Sequence, residues 1–301
     1  MDVLEGDFKD WKKAGIIAGT ALEYGRKLIE VGAKMLDVTL AVEEKIKKMG
    51  GELAFPAQIN FNEIAAHDCA HINDERIFND GDVVKLDCGV TVNGAVGDTA
   101  VTVCFNPEYE DVTKASEEAL KNAIKESRPG NTTGQIGKVI EETMKSYGCN
   151  PIRNLTGHGI GIYKYHMAPN IPNFDTKGGV VLKEGQTIAI EPFSTNGQGL
   201  IREHGEPQVF CMHTKKQVRS LIARTVSKEL DRFKNMPFAI RQIVSKQLSE
   251  NSIKFGLKEL VLAGAVTPYP PLKEISDGFI AQFENSLVVA DKPYVLTKCE
   301  E

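Results

Sequence analysis

No C-x-x-C pair occurs among the six cysteines of this 301-residue sequence (Cys69, Cys88, Cys104, Cys149, Cys211 and Cys299), so neither a zinc ribbon nor a thioredoxin-like dithiol is encoded. A chain this long buries enough core to need no staples, and the six are read as reduced thiols of a cytoplasmic protein. No run of about 18 apolar residues exists, which excludes a membrane-spanning helix. The start, Met1-Asp2-Val3-Leu4-Glu5-Gly6-Asp7, is acidic and lacks the basic and apolar regions of a signal peptide. Charge of one sign is also scarce. The net charge of -5 argues against a surface given over to DNA or any other nucleic acid. Against these absences stand 42% hydrophobic and 26% charged residues, the balance of a packed globular protein. One large domain, or one domain carrying a smaller insert, is expected.

An internal repeat organises the first half of the chain. A shift of 98 residues lays Gly32–Gly50 (GAKMLDVTLAVEEKIKKMG) on Gly130–Gly148 (GNTTGQIGKVIEETMKSYG), with glycine coinciding at both ends. Glu43-Glu44 falls on Glu141-Glu142, Lys47 on Lys145, and upstream Ala21-Leu22 on Ala119-Leu120. Each copy reads as a long helix, a glycine turn and a second helix, with Gly50 and Gly148 where a left-handed C-cap is wanted. Trp11, Ala14, Ile17, Ala21, Tyr24 and Leu28 recur at helical spacing in the first copy. Amphipathic helices share a period, so two pairs can match by chance; the equal glycine-to-glycine spans favour duplication.

Strand signals follow each helical pair. Val83–Val92 and Ala95–Val103 are rich in β-branched residues and are separated by Asn93-Gly94, a two-residue hairpin signal. Val180–Leu182, Thr187–Glu191 and Phe279–Val289 are further strand candidates. Between Pro207 and Pro271 the texture changes: Val218–Phe233 and Ile240–Leu248 read as helices, and Thr214–Glu259 carries a net charge of +7. The expected organisation is therefore a catalytic domain built from residues 1–206 and 272–301, with residues 207–271 inserted.

Asp87 and Asp98 lie in the apolar hairpin strands, where a carboxylate is costly unless paired or bound to a metal. A two-residue turn pairs Val92 with Ala95, which sets Asp87 opposite Ala100 and Asp98 opposite Gly89. Both aspartates then project from one face as a diagonal pair about 7–8 Å apart. Three more groups can join them. Glu191 ends the apolar run Thr187-Ile-Ala-Ile, Glu284 interrupts Phe279–Val289, and His158 sits in Gly157-His158-Gly159, where glycines permit close backbone approach. Four carboxylates and one imidazole match two divalent ions in a hydrolytic site, and the oxygen-rich set favours Co, Mn, Fe or Zn over a thiolate zinc site. Singly, each aspartate is an ordinary edge or turn residue, and paired carboxylates also suit a glycosidase. The metal reading rests on every carboxylate lying in an otherwise apolar segment.

With these five residues assembled, the chain resembles the methionine aminopeptidases, within the pita-bread metallopeptidase group. The match is carried by Asp87 and Asp98 in LDCGVTVNGAVGDTAVTV, His158 in GHGIGIYKYH, Glu191 in IAIEPF and Glu284 in AQFENSLVV. The resemblance implies an α+β fold of two pseudo-twofold-related halves. Asp87, Asp98, His158, Glu191 and Glu284 would be metal ligands, with Asp98 and Glu284 bridging. It further implies His67 in NEIAAHD and His166 in GIYKYH as histidines that contact substrate. Phe55 matches an aromatic of the methionine pocket in relatives, with plain core packing as the alternative. The insert of residues 207–271 points to type 2 enzymes, in which it forms a winged-helix-like subdomain. The absence of a charged N-terminal extension points to archaeal forms.

The implied reaction is metal-assisted removal of methionine from nascent polypeptide N-termini whose second residue is small. Glu191 would accept a proton from the attacking water, His166 would donate to the oxyanion, and His67 would contact the scissile amide. Two departures concern the pocket: Asp68-Cys69-Ala70 follows the first histidine where an aromatic is usual, and Tyr165 and Met167 flank the second. Cys88 should face away from the site, and His71, His204 and His213 read as surface residues. The rivals are an Xaa-Pro peptidase of the same fold, which typically has Arg where Gln282 stands, and a non-catalytic relative binding RNA or ribosomes. The basic insert is either a solvated face or a transient ribosome contact, and a monomer is expected.

Overall fold

Two helical pairs carry the repeat in the computed structural model, which describes residues 4–299; Met1–Val3 of the acidic start lie outside them. Helices α1 (Phe8–Leu28) and α2 (Met35–Lys48) form the first pair, α3 (Glu110–Glu126) and α4 (Thr133–Ser146) the second. The bounds of α2 shifted by 98 residues are those of α4 at both ends. The Asp7 side chain caps α1 by accepting from the Lys9 amide at 2.9 Å, and Thr132 with Gln135 forms a capping box on α4. Both α2 and α4 end in the same Schellman arrangement. Gly51 N–H donates to Ile46 O at 3.1 Å and Gly50 N–H to Lys47 O at 3.0 Å, while Cys149 N–H and Gly148 N–H reach Met144 O and Lys145 O, each at 3.0 Å. Gly50 and Gly148 take φ of +82° and +73°, which a side chain would disfavour.

Each pair packs on its own share of a sheet. Ala14, Ile17 and Ala21 of α1 and Val38, Val42 and Ile46 of α2 cover Leu86, Cys88 and Val90. In the second half Ala115, Ala119, Ile136 and Ile140 cover Ile188, Ile190 and Leu287. Burying each Ile or Leu side chain contributes roughly 1.5–3 kcal/mol. Trp11 is fully buried, whereas Tyr24 at the end of the predicted stripe is half-exposed.

The main sheet has nine strands and is antiparallel throughout. Its central run is Val83–Val92, Ala95–Cys104, Glu284–Val288, Thr187–Ile190, Thr156–Gly161 and Lys164–Pro172. The hairpin register is the one the turn demands: Val92 pairs Ala95, Asp87 pairs Ala100, and Gly89 pairs Asp98. Asn93 and Gly94 have φ of +49° and +91°, as a type I′ turn requires. Strand Glu284–Val288, from the far end of the chain, lies between the two halves and closes the sheet.

Three segments differ from the sequence reading. Phe279–Val289 is not one strand: Ile280–Gln282 pairs Phe193–Thr195 in a small sheet, and after Phe283 the chain enters the main sheet. Val180–Leu182 makes only a single bridge, Thr132 to Val181, and its two valines are exposed. Ile240–Leu248 is a 3-10 turn, Ile240–Gln242, followed by irregular chain. Its buried Ile240, Ile243 and Leu248 join the core cluster around Phe210–Val266, while the Ser245 hydroxyl accepts from Gln247 N–H and Leu248 N–H and competes with helix bonding. The second helix of this region is instead α6 (Glu250–Leu262), after α5 (Leu221–Leu230), which starts later and ends earlier than Val218–Phe233.

Around α5 and α6 the chain from Phe210 to Val266 has a core of its own, including Val226, Leu230, Phe238, Leu257 and Leu260. A buried ion pair ties it to the first half. Arg241 donates to both oxygens of Glu43, at 2.9 and 2.5 Å, and to Ala70 O at 3.0 Å. All six cysteines are thiols. Among the described residues no helix is long and apolar enough to cross a membrane.

Candidate metal centre and catalytic cleft

The centre is a row across adjacent strands. Ala100 stands between Asp87 on one side and Glu284 on the other, and Asp98 lies two residues along the same strand. His158 pairs Ala189 on the strand that leads into Glu191. Small residues make this row feasible. A Cβ on Gly157 would stand 2.5 Å from Ala189 O, and one on Gly159 would stand 2.4 Å from Ala168 O. The glycines flanking His158 therefore let its strand fit between two neighbours and aim the imidazole inward.

All five sequence-derived candidates meet here. His158 Nε2 lies 3.8 Å from Asp98 Oδ2 and 3.8 Å from Glu191 Oε1. Donor atoms of Asp98, His158 and Glu284 lie within 4.8 Å of one another, as do those of His158, His166 and Glu191. Asp87 belongs to neither triad; its Oδ2 accepts from Gln282 Nε2 at 3.2 Å. Asp87, Asp98, His158 and Glu284 are buried, and Glu191 faces the cleft.

Electrostatics test whether these residues suit a cation. Burial raises the pKa of Asp87 to about 7. Burial and then the neighbouring carboxylates push Asp98, Glu191 and Glu284 well above the usual range. Burial likewise depresses His158. Asp87 Oδ1, Asp98 Oδ1 and Glu284 Oε1 are buried and have no hydrogen-bond partner. Such orphaned acceptors normally cost about 1–3 kcal/mol each, more if charged. A divalent cation reverses every one of these penalties, since it supplies the missing partner and favours the ionised carboxylate and neutral imidazole. The donor set fits oxygen-preferring divalent metals.

Two further histidines border the centre. His166 stands in the open cleft with its ring centroid 3.8 Å from that of His158, and desolvation of its inner side lowers its pKa. His67 has φ of +69° and is held on three sides. Its N–H donates to Gln58 Oε1 at 2.7 Å, its Nδ1 lies 3.2 Å from Pro270 O, and Tyr269 packs edge-on at 5.4 Å. A carbonyl can only accept, so Nδ1 carries the proton and Nε2 is left with its lone pair. Burial lowers the His67 pKa to about 4, which keeps the ring neutral.

The cleft has a volume of about 650 Å³ and is also walled by Phe55, Tyr165, Pro237 and Tyr269. Phe55 is buried and packs against Gly89, where a Cβ would meet its ring at 2.2 Å. It packs in a core cluster and lines the cleft at once, so its two readings are compatible. Tyr165 OH is 2.8 Å from Tyr269 OH. Cys88 faces away, 3.8 Å from Ala18 O of α1. Asp68 is engaged by Arg76 at 2.6 Å. His71 and His204 are exposed outside the cleft, whereas exposed His213 stands on its rim. The sequence reading missed Gln58, Tyr269 and Pro270, which orient His67; no local pattern marks them.

Known proteins resemble this chain in sequence and in fold. Residues 9–289 match the model of metallopeptidase family M24. A methionine aminopeptidase of Archaeoglobus fulgidus is 40% identical over 286 residues, 95% of this chain and 96% of that protein. The crystal structure of a methionine aminopeptidase from Thermotoga maritima superposes with a TM-score of 0.70 at 26% identity, covering 96% of both chains. A thermophilic Arx1 shares the fold with a TM-score of 0.83 at 15% identity, over 97% of this chain and 91% of that one.

Proposed function

The chain belongs to metallopeptidase family M24 and, within it, to the methionine aminopeptidases, and we propose that it removes the initiator methionine of nascent polypeptides when the second residue is small. Asp87, Asp98, His158, Glu191 and Glu284 would hold two divalent ions, drawn from Co, Mn, Fe or Zn, in the pita-bread fold of this group. The observation that carries this reading is the convergence of three partnerless buried carboxylate oxygens with His158 at the floor of one cleft. A divalent metal bound by these residues would supply Lewis acidity towards the scissile carbonyl and towards water.

The chain's own groups account for the rest. Glu191, which faces the cleft, accepts the proton of the attacking water. His166 donates an N–H to the oxygen that becomes negative. His67 is held as the Nδ1–H form by Pro270, and its Nε2 accepts from the scissile amide N–H. Phe55 and Tyr165 wall the methionine side chain.

Methionine release from Met-Ala-Ser against Met-Lys-Ser, with metals added back singly to stripped protein, tests the reading. Release from the first peptide alone, dependent on metal, is expected; metal-independent release or equal cleavage of both refutes it. An Xaa-Pro peptidase is disfavoured by Gln282, whose neutral amide bonds Asp87. A non-catalytic relative is disfavoured by the presence of all five candidate ligands. We read residues 207–271 as an inserted winged-helix-like subdomain, supported by its separate core, and the enzyme as a cytoplasmic monomer. Transient ribosome contact through the basic insert predicts that changing Lys215, Lys216 and Arg219 to Glu abolishes co-sedimentation and spares tripeptide kinetics.

A further inference from the structure

Among the residues that wall the catalytic cleft, Asn235 has a backbone that local structure does not account for. Lys234 and Asn235 lie one after the other in the left-handed region, at φ of +52° and +63°. The first has a local reason: Lys234 ends the 3-10 turn Asp231–Phe233, with its N–H on Asp231 O. No cap calls for the second. Asparagine visits this conformation more readily than most residues, yet it persists only where the surroundings impose it. Here they do. Lys234 Nζ is held by Glu52 at 3.0 Å and stands 5.2 Å over the Tyr163 ring. Met236 is buried in the cluster that holds Phe55 and Ile160, and Pro237 fixes the following φ. The Cys211 thiol donates to Asn235 O at 3.2 Å.

The backbone of Asn235 is thus fixed beside the cleft, while its carboxamide is exposed and makes no hydrogen bond among the described residues. Asn154, the other asparagine of the cleft, shows what such a group does when a backbone is in reach. Its Nδ2 donates to Ile201 O at 2.7 Å and its Oδ1 accepts from Ile201 N–H at 2.9 Å. Asn235 has the same donors and acceptor free. Buried Asp87, Asp98, His158 and Glu284 form the floor of the cleft, and exposed Asn235 stands at its rim with Lys164 and His213. A peptide whose amino terminus reaches the floor leaves its downstream residues at the rim. His67 and His166 take the scissile unit in the proposed reaction, so the next main-chain N–H, that of the third residue, is the first without a partner.

We propose that Asn235 is a substrate-binding residue of the aminopeptidase, its carboxamide bonding the main-chain N–H and C=O of the substrate's third residue. The orientation rests on the proposed reaction, and the chemistry on the free carboxamide held by a fixed backbone. Main-chain recognition is independent of side chains, which suits an enzyme that accepts many nascent polypeptides.

The test uses Met-Ala-Ser-Gly, the same peptide with an ester in place of the Ala–Ser amide, and methionine p-nitroanilide, which has no third residue. Asn235→Gly is the informative variant, because glycine adopts φ of +63° without strain and the fold is kept. Its KM for Met-Ala-Ser-Gly is expected to rise about twofold to tenfold, the worth of one neutral hydrogen bond, with kcat carrying little of the change. The rise should be smaller for the anilide. The ester should cost the wild type a similar factor and cost Asn235→Gly nothing more. Asn235→Asp keeps the acceptor for the third residue's N–H and should retain the ester penalty. An unchanged KM in Asn235→Gly, an equal rise for peptide and anilide, or an ester penalty that survives in Asn235→Gly overturns the assignment. Failure of the wild type to cleave Met-Ala-Ser-Gly would refute the reaction instead, and fluorescence anisotropy of the labelled peptide and its ester, on wild type and Asn235→Gly, then reads the contact directly.

Discussion

Removing the Arg241 guanidinium should do more damage than any surface charge in this protein. Arg241 and Glu43 have side chains only 6% and 4% exposed, and they join the 3-10 turn Ile240–Gln242 to α2. Glu43 Oε1 also accepts from Ala57 N–H at 3.2 Å, and Arg241 Nε donates to Ala70 O at 3.0 Å. Arg241→Met keeps most of the aliphatic volume but strands a buried carboxylate and a backbone carbonyl. Breaking one side of such a pair costs about 3–5 kcal/mol. For a chain of this size each kcal/mol moves Tm by about 2–4 °C, so a fall of about 6–20 °C is expected. The double variant Glu43→Met/Arg241→Met removes both charges and should recover much of that loss, because the desolvation cost disappears with the pair. Calorimetry of the wild type, both single variants and the double variant gives the coupling directly. A single variant that melts within 2 °C of wild type (about 1 kcal/mol by the same conversion), or a double variant no better than Arg241→Met, would refute the reasoning.

His158→Ala should lose bound metal, whereas His166→Ala should keep it and lose about 10²–10³-fold in kcat; elemental analysis beside kinetics separates them, and the opposite pattern inverts the roles. Chelation should lower Tm and restored Mn or Co should raise it, by about 2.7 kcal/mol of stability at a hundredfold excess over Kd; an unchanged melting curve would contradict the carboxylate centre. The folded-state pKa of His67 is about 4, below its ordinary 6.5. The unfolded chain therefore binds the extra proton first, and this contribution to stability is complete above pH 6.5 and is lost as pH falls towards 4. Metal-free His67→Asn should show a shallower decline than wild type over that window in urea titrations, and parallel declines would remove His67 as the cause.

Much of the candidate metal centre's geometry was legible because its signals are short-range. Asn93-Gly94 forces a type I′ turn, and the turn alone fixes which residue faces which for ten pairs along the hairpin, Asp87 and Asp98 among them. The glycine at each end of the repeated helix announces its C-cap, and the structure gives α2 and α4 the same bonds there. Carboxylates in apolar strands stood out because burial without a partner is costly, whatever the fold. Motif resemblance then joined residues that no periodicity connects.

The tertiary structure decided what brings distant segments together. Asp87 is bonded to Gln282 across 195 positions of chain, and no local propensity encodes such a pairing. The change of sheet at Phe283 depends on which strands are already in place on either side, so one apolar run became two strands. Ile240–Leu248 has helical spacing, yet its apolar residues serve a wrapped loop because a core can be covered by either geometry. His67 shows the division most clearly. Its presence in the sequence is plain, but its tautomer is set by the Pro270 carbonyl, 203 residues away, where the chain returns to close against it. Turns and caps act over a few residues and can be read directly. Long-range pairing is fixed only when whole apolar faces are buried together, since that burial must offset the entropy of closing the loops between them.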